Sequence, residues 1–434
     1  MQTQNPEAEG LNQMLQKDHP SIYRLLSKKG KSIFFPRKGI VNQSKEATGK
    51  NINATIGIAI EDDGSPMRLP SIAKNILLDP KTTFPYASSY GVPELRKAWQ
   101  NLIKEKNPTL KGKISLPVVT NGLTHGLSTI GYLFVDPGDK VIVTDILWEN
   151  YSLIFEYGCG GQAMPFKTFK GKNFNSEGLR ETLRKTKGKQ ILLLNFPHNP
   201  TGYTCTKEEA EEIVQCIKES ADRGNHMAVL LDDAYFGLVY QSGIYQESLF
   251  SKLADLDENV LAIKVDGATK EDYIWGFRVG FVTYASKGIS ENACLALEDK
   301  TAGAVRGTIS SASHISQSLL LHAISSPTYH EEKRSKYDLL KTRFDKVKRV
   351  MLENERRYSE YFSALPFNSG YFMCVELKEG LDAEKVRQIL LQKYSTGVIT
   401  VENLLRVAFS AVAEKNIPAV FENIYKACQD QKQG

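Results

Sequence analysis

The chain is expected to be an α/β protein, with a large domain built on a mainly parallel sheet covered by helices and a smaller α+β domain beside it. Three observations predict this. Between about residues 70 and 290, short runs rich in Val, Ile and Leu alternate with longer amphipathic stretches. The short runs are continuously apolar, the pattern of strands buried on both faces. The C-terminal third then changes character: residues 328–363 are charge-rich with a helical pattern, and two separate strand-like stretches follow, Tyr371–Leu377 and Leu404–Phe409.

In chain order, residues 1–17 are polar and expected to be loose. They lack a basic start followed by an apolar stretch, so no signal peptide is expected. The strand candidates are Leu116–Val119, Val141–Thr144, Ile191–Asn195, Ala228–Leu231, Val260–Lys264 and Gly280–Thr283. One helix between them has readable ends. Thr206 followed by Glu209 is a capping box, Ile213, Val214 and Ile217 recur at helical spacing, and Gly224 can stop the helix. The large domain is placed at 70–335, and the smaller one is assembled from 18–69 and 336–434.

Composition removes several classes of function. The 434 residues are 41% hydrophobic and 24% charged, which excludes general disorder. A net charge of +5 spread over this length does not point to nucleic acid. The basic run Arg180–Lys189 has no interleaved aromatics and reads as a solvated helix face. The six cysteines form no CxxC pair and no metal-ligand spacing, so no metal is expected and reduced thiols in the cytoplasm are. No run approaches the length of a membrane span.

Five polar clusters sit in or just after apolar runs, where an open parallel sheet binds its ligands. Thr120–Leu127 (TNGLTHGL) can cradle a phosphate on free N–H groups, or be an ordinary turn and cap. Asn195–Gly202 (NFPHNPTG) is frozen by two prolines and presents Asn199; a rigid turn would look the same. Asp232–Gly237 (DDAYFG) offers two acids and a tyrosine, with no His or Cys near in sequence to complete a metal site. Asp266–Gly280 (DGATKEDYIWGFRVG) holds Lys270, with Arg278 eight residues on; an isolated lysine there is usually a surface charge. Leu404–Ser410 (LLRVAFS) places Arg406 in an apolar run, where a buried guanidinium needs an anion.

Together and in this order, the clusters resemble the fold-type I pyridoxal-phosphate aminotransferases of class I, and within them the aspartate and aromatic amino-acid branch. The resemblance runs from about Ile52 to Ser410. It includes Ile52–Pro70, similar to the branch's N-terminal substrate segment, and Tyr86 with Gly91 and Leu95-Arg96. It implies pyridoxal 5'-phosphate as cofactor, carried covalently by Lys270, whose freed amine moves the substrate proton. Asp232 would pair with the ring nitrogen. Asn199 and Tyr235 would bond the ring's phenolic oxygen, and Trp148 would stack on the ring. Gly122, Leu123, Thr124, Thr269 and Arg278 would hold the phosphate, with Tyr86 reaching it from the neighbouring subunit of a homodimer with shared sites. Gly57 and Arg406 would bind the substrate α-carboxylate. Arg306, in Val305–Ser313, would come from the opposite subunit to a distal carboxylate. The substrates implied are an amino acid, aspartate, glutamate or aromatic, and a 2-oxo acid such as 2-oxoglutarate.

The sequence departs from this pattern in places. Gly267 stands where the family usually has a hydroxyl residue touching the phosphate. Leu123 replaces a smaller residue, and Ser311 replaces an asparagine. His125 and His198 match no catalytic position and are read as structural. Two other readings stay open. One is another fold-type I enzyme, such as a C–S lyase or amino-acid decarboxylase. The other is a non-catalytic effector-binding regulator, although the residues before Ile52 show no DNA-binding helix-turn-helix pattern.

Overall fold

The computed structural model describes residues 5–36, 39–76 and 78–433. Residues 37, 38 and 434, inside the expected smaller domain, residue 77, inside the expected large one, and residues 1–4 lie outside that set. The main sheet has seven strands: β1 (Val118–Asn121), β2 (Lys140–Thr144), β3 (Gln162–Phe166), β4 (Lys189–Asn195), β5 (His226–Asp232), β6 (Val260–Gly267) and β7 (Val279–Ala285). Their spatial order is β1-β7-β6-β5-β4-β2-β3. β7 runs antiparallel to β1 and β6, and the remaining pairs are parallel. Five of the six strand candidates read from the sequence lie within these strands, and Leu116–Val119 overlaps β1 at Val118 and Val119. Leu192, Val229, Ile263 and Phe281 in their centres are fully buried, as strands covered on both faces require.

The helices include α1 (Pro6–Asp18), α2 (Ile40–Glu46), α3 (Pro93–Lys106), α4 (Gly122–Phe134), α5 (Lys207–Asp222), α6 (Ala268–Glu271), α7 (Glu291–Thr308) and α8 (Tyr329–Glu353); α4 and α7 pack on the main sheet. The capping box of α5 is formed at both hydrogen bonds, Glu209 N–H to Thr206 Oγ1 at 3.2 Å and Thr206 N–H to Glu209 Oε2 at 2.9 Å. α4 starts directly where β1 ends, so its free N–H groups open onto the sheet edge. A second sheet of four strands, β8 (Phe362–Ala364), β9 (Phe372–Leu377), β10 (Ile399–Val401) and β11 (Leu404–Ala408), is antiparallel in the order β8-β9-β11-β10.

Several features differ from the sequence reading, including β8 and β10, two short strands outside the stretches read as strand-like. Within the stretch expected to be loose, Pro6–Asp18 is helical, capped by the Asn5 side chain on Glu7 N–H at 2.9 Å with proline in its first turn. β3 was not read as a strand. It is an edge strand carrying Pro165 and is half exposed, so it lacks the apolar run that marks the interior strands.

Candidate active site

Strand register builds the site. Asn195 pairs with Asp232 across β4 and β5, and Asp232 with Val265 on β6, so the parallel strands end level with one another. Gly280 faces Gly267 on one side and Thr120 on the other, which brings β1, the start of β7 and Arg278 to the same edge. Along that edge lies a cavity of about 250 Å³. Gly57, Leu123, Thr124, Trp148, Asn199, Asp232, Tyr235, Thr269, Lys270, Arg278 and Arg406 all line it. Residues far apart in sequence are thus gathered as the strand-end argument requires.

The edge holding Leu123, Thr124, Thr269 and Arg278 fits a phosphate. Gly122 has φ +79, and a Cβ there would lie 2.5 Å from Arg278 Nη2, so only glycine lets the guanidinium rest on the helix N-terminus. Asn121, the residue before the helix, makes no side-chain cap, which leaves the first-turn N–H groups for an anion. Thr269 Oγ1 is buried without a partner. A phosphate dianion would satisfy all three donors. Gly267 cannot carry the hydroxyl usual in the family, because a Cβ there would meet Val279 O at 2.6 Å and the Leu123 side chain at 3.0 Å. The glycine and the larger leucine are therefore one packing solution.

At the other end, Arg406 is 2% exposed and stacks on Phe372, 4.3 Å from the ring centroid. It donates to Thr55 O at 3.1 Å and Asn199 Oδ1 at 3.4 Å, and its Nε has no partner. No carboxylate among the described residues forms an ion pair with it. A guanidinium held this way is short of an anion, which a substrate carboxylate would supply.

Between the two ends, Lys270 sits on α6, its carbonyl held by Tyr371 Oη at 2.7 Å and its amine 5.4 Å from the Tyr235 ring centroid. Burial, then the nearby Arg278 charge, depress its ammonium to about 8, which makes the free amine accessible near neutral pH. Asp232 is 3% exposed, and burial pushes its carboxyl up to about 6. Its Oδ2 accepts from Tyr151 Oη at 2.6 Å and its Oδ1 from Ala234 N–H at 3.1 Å. Asp233 points away from the cavity, paired with buried Lys264 and with Ser248 Oγ at 2.6 Å. Alternation along the strand end separates the two acids.

Tyr86 and Arg306 are not brought to this cavity within the chain. Tyr86 is 93% exposed, and Arg306 is exposed on the last turn of α7, donating to Ser310 Oγ at 2.9 Å. His198 is buried and bonded to Thr201 Oγ1 at 2.8 Å, and His125 bonds Thr308 Oγ1 at 2.9 Å. The residue that sequence reasoning missed is Tyr151. It lies three positions after Trp148 in the same LWENY stretch, and its ring meets Trp148 edge-on at 5.5 Å. Asn195 was missed as well: it donates to Asp232 O at 2.7 Å and accepts from Asn199 N–H at 2.7 Å, tying the two strand ends.

Comparison with known proteins gives one family, described as "Aminotransferase class I and II", whose profile matches residues 52–424. The chain is 30% identical over 216 residues to an aspartate aminotransferase of Sulfurisphaera tokodaii, covering 49% of this chain and 50% of that protein. It is 27% identical over 240 residues to the aspartate/prephenate aminotransferase of Thermus thermophilus, covering 55% and 58%. The chain spans about half the length of the curated relatives it matches. Among solved structures, an aminotransferase from Anaerococcus prevotii superposes with TM-score 0.82 at 24% identity over 93% of this chain and 98% of that one. A Pyrococcus horikoshii kynurenine aminotransferase superposes with TM-score 0.78 at 18% identity over 94% and 98%. At these identities the structural likeness shows the fold.

Proposed function

The chain belongs to the class I and II aminotransferases, and on that premise we propose that it moves an amino group from an amino acid, aspartate, glutamate or aromatic, to a 2-oxo acid such as 2-oxoglutarate. The observation that carries the reading is one cavity with a phosphate-shaped edge at Arg278, an anion-seeking Arg406 at the other end, and the Lys270 amine between them. Pyridoxal phosphate is the family's cofactor, and when bound it supplies an electron sink next to the substrate α-carbon.

The chain's own residues then have separable tasks. Gly122, Leu123, Thr124, Thr269 and Arg278 would hold the phosphate. Trp148 would cover one face of the ring, and Asn199 and Tyr235 would donate to its phenolic oxygen. Asp232, as a carboxylate, would keep the ring nitrogen protonated. Arg406 takes the α-carboxylate through two parallel hydrogen bonds, assisted by the Gly57 N–H, which aims the α-hydrogen at Lys270. The Lys270 Nζ would accept that proton and hold it for its return.

The side-chain end of the substrate would face a second cavity of about 470 Å³ that shares Ile40, Trp148 and Asn199 with the first. Phe34, Ile146, Leu147 and Leu404 give it an apolar wall that suits an aromatic ring. A dicarboxylate needs a cation there, and Arg306 of the neighbouring subunit is the residue we assign to it. The relatives named for aspartate and prephenate, and the neighbour named for kynurenine, lean toward these same two classes.

The test is amino transfer to 2-oxoglutarate from aspartate, glutamate, phenylalanine and tyrosine, in wild type and Arg306→Ala. Transfer is expected, with the KM for dicarboxylates raised on the order of tenfold or more in the variant and aromatic donors nearly unchanged. Equal effects on both classes would remove Arg306 from the site. Release of carbon dioxide or of a thiol without amino transfer would replace the reaction by a decarboxylase or C–S lyase.

A further inference from the structure

Tyr151 stands where the chain turns from the Trp148 loop into the π-helical turn Ser152–Gly158, and it is 4% exposed. Its ring is wedged edge-on against Trp148 and tilted against Phe155 at 6.4 Å, so the phenol has little freedom. The hydroxyl reaches 81 positions along the chain to Asp232 Oδ2, at 2.6 Å. We propose that Tyr151 is a positioning residue for the reaction, fixing the Asp232 carboxylate and supplying it with a permanent hydrogen-bond donor; this rests on the reading of Asp232 given above.

The chemistry favours a phenol here. Burial alone would leave Asp232 a neutral acid near working pH, and a neutral acid cannot hold a proton on the ring nitrogen. Hydrogen bonding to the charged form opposes this, and the bond from Tyr151 is the largest opposing influence, ahead of the Ala234 N–H. Tyr151 itself is pushed well above its ordinary value by burial and by the adjacent carboxylate, so it stays a donor throughout the working range. The Trp148–Tyr151 contact and the Tyr151–Asp232 hydrogen bond thereby tie Trp148 and Asp232 into one unit.

Tyr151→Phe keeps the ring and removes the donor. Pyridoxal phosphate binding to the apo-protein, followed by fluorescence from pH 5 to 8.5, should show a midpoint moved up by about one unit or more relative to wild type. In the loaded enzyme kcat should fall roughly tenfold or more, with KM for the amino donor within about twofold, because the lost contact serves the transition state. A purely structural tyrosine would not move the pH midpoint. Should the phenylalanine variant fail to fold, 3,5-difluorotyrosine at position 151 keeps the shape, strengthens the donor and should move the midpoint down. An unchanged midpoint in the folded phenylalanine variant, or in the fluorinated protein, overturns the proposal. Asp232→Asn, measured alongside, separates the two layers. If Asp232→Asn alone is impaired, only the role of Tyr151 fails; if Asp232→Asn behaves as wild type, the reading of Asp232 fails with it.

Discussion

Lys270 is a lysine that its surroundings make easier to deprotonate, and this has a thermodynamic signature. Its folded value is depressed to about 8 against 10.5 for a free side chain, through burial and Arg278. Below pH 8 both folded and unfolded chains carry the proton, and the folded state bears the full cost of a desolvated ammonium. As pH rises from about 8 to 10.5 the unfolded chain binds more protons, so the apo-protein gains stability relative to Lys270→Met. The gain should be on the order of 2 kcal/mol, discounted for the partial exposure of the amine. Chemical denaturation of both proteins at pH 7.5 and 10 measures it, and parallel curves would refute the depressed value. The adjacent acids make a second contrast. Asp232→Asn should cost turnover on the order of a hundredfold or more with little loss of stability, since Asp232 is held by hydrogen bonds and faces the cavity. Asp233→Asn should do the reverse, destabilising by about 3 kcal/mol because it leaves Lys264 buried and poorly paired. Melting curves and initial rates together decide. These residues could be read from the sequence because each follows an apolar run at a strand end. Tyr151 could not, because its partner is 81 positions away and nothing local marks the contact.

The strands and the α5 capping box were readable because each carries its own signal: a continuous apolar run, or a hydroxyl three residues before a glutamate. β3 and α1 were harder. β3 contains a proline and is half exposed, and α1 has few apolar positions, although Asn5 and Pro6 are good start signals. Packing between elements was invisible, and Gly267 shows the consequence. Read against the family it is a missing hydroxyl; in the folded chain β7 and α4 leave no room for one. Gly267→Ser should therefore not tighten cofactor binding. It should lower stability by about 1–3 kcal/mol, the usual cost of overpacking against backbone. Thermal melts and cofactor titration of the variant test this, and tighter binding without loss of stability would contradict it.

The assembly question turns on Tyr86 and Arg306, which this chain leaves exposed and away from its own cavity. We propose a homodimer in which each reaches the neighbouring subunit's site. Mixing Lys270→Ala with Tyr86→Phe subunits should then restore activity above either alone, through hybrids with one intact site. A fully active monomer at assay concentration in sedimentation would exclude it. The division at 335/336 falls inside α8, so that helix would join the two proposed domains as one rod. Among the described residues no helix is long and apolar enough to cross a membrane. All of this depends on Lys270 carrying the cofactor. The direct measurement is borohydride reduction of the protein loaded with pyridoxal phosphate, followed by mass spectrometry of its peptides. The account predicts a single stoichiometric pyridoxyl group on Lys270, lost in Lys270→Ala together with turnover. A pyridoxyl group on another lysine, or multiple turnovers retained by Lys270→Ala, would contradict it.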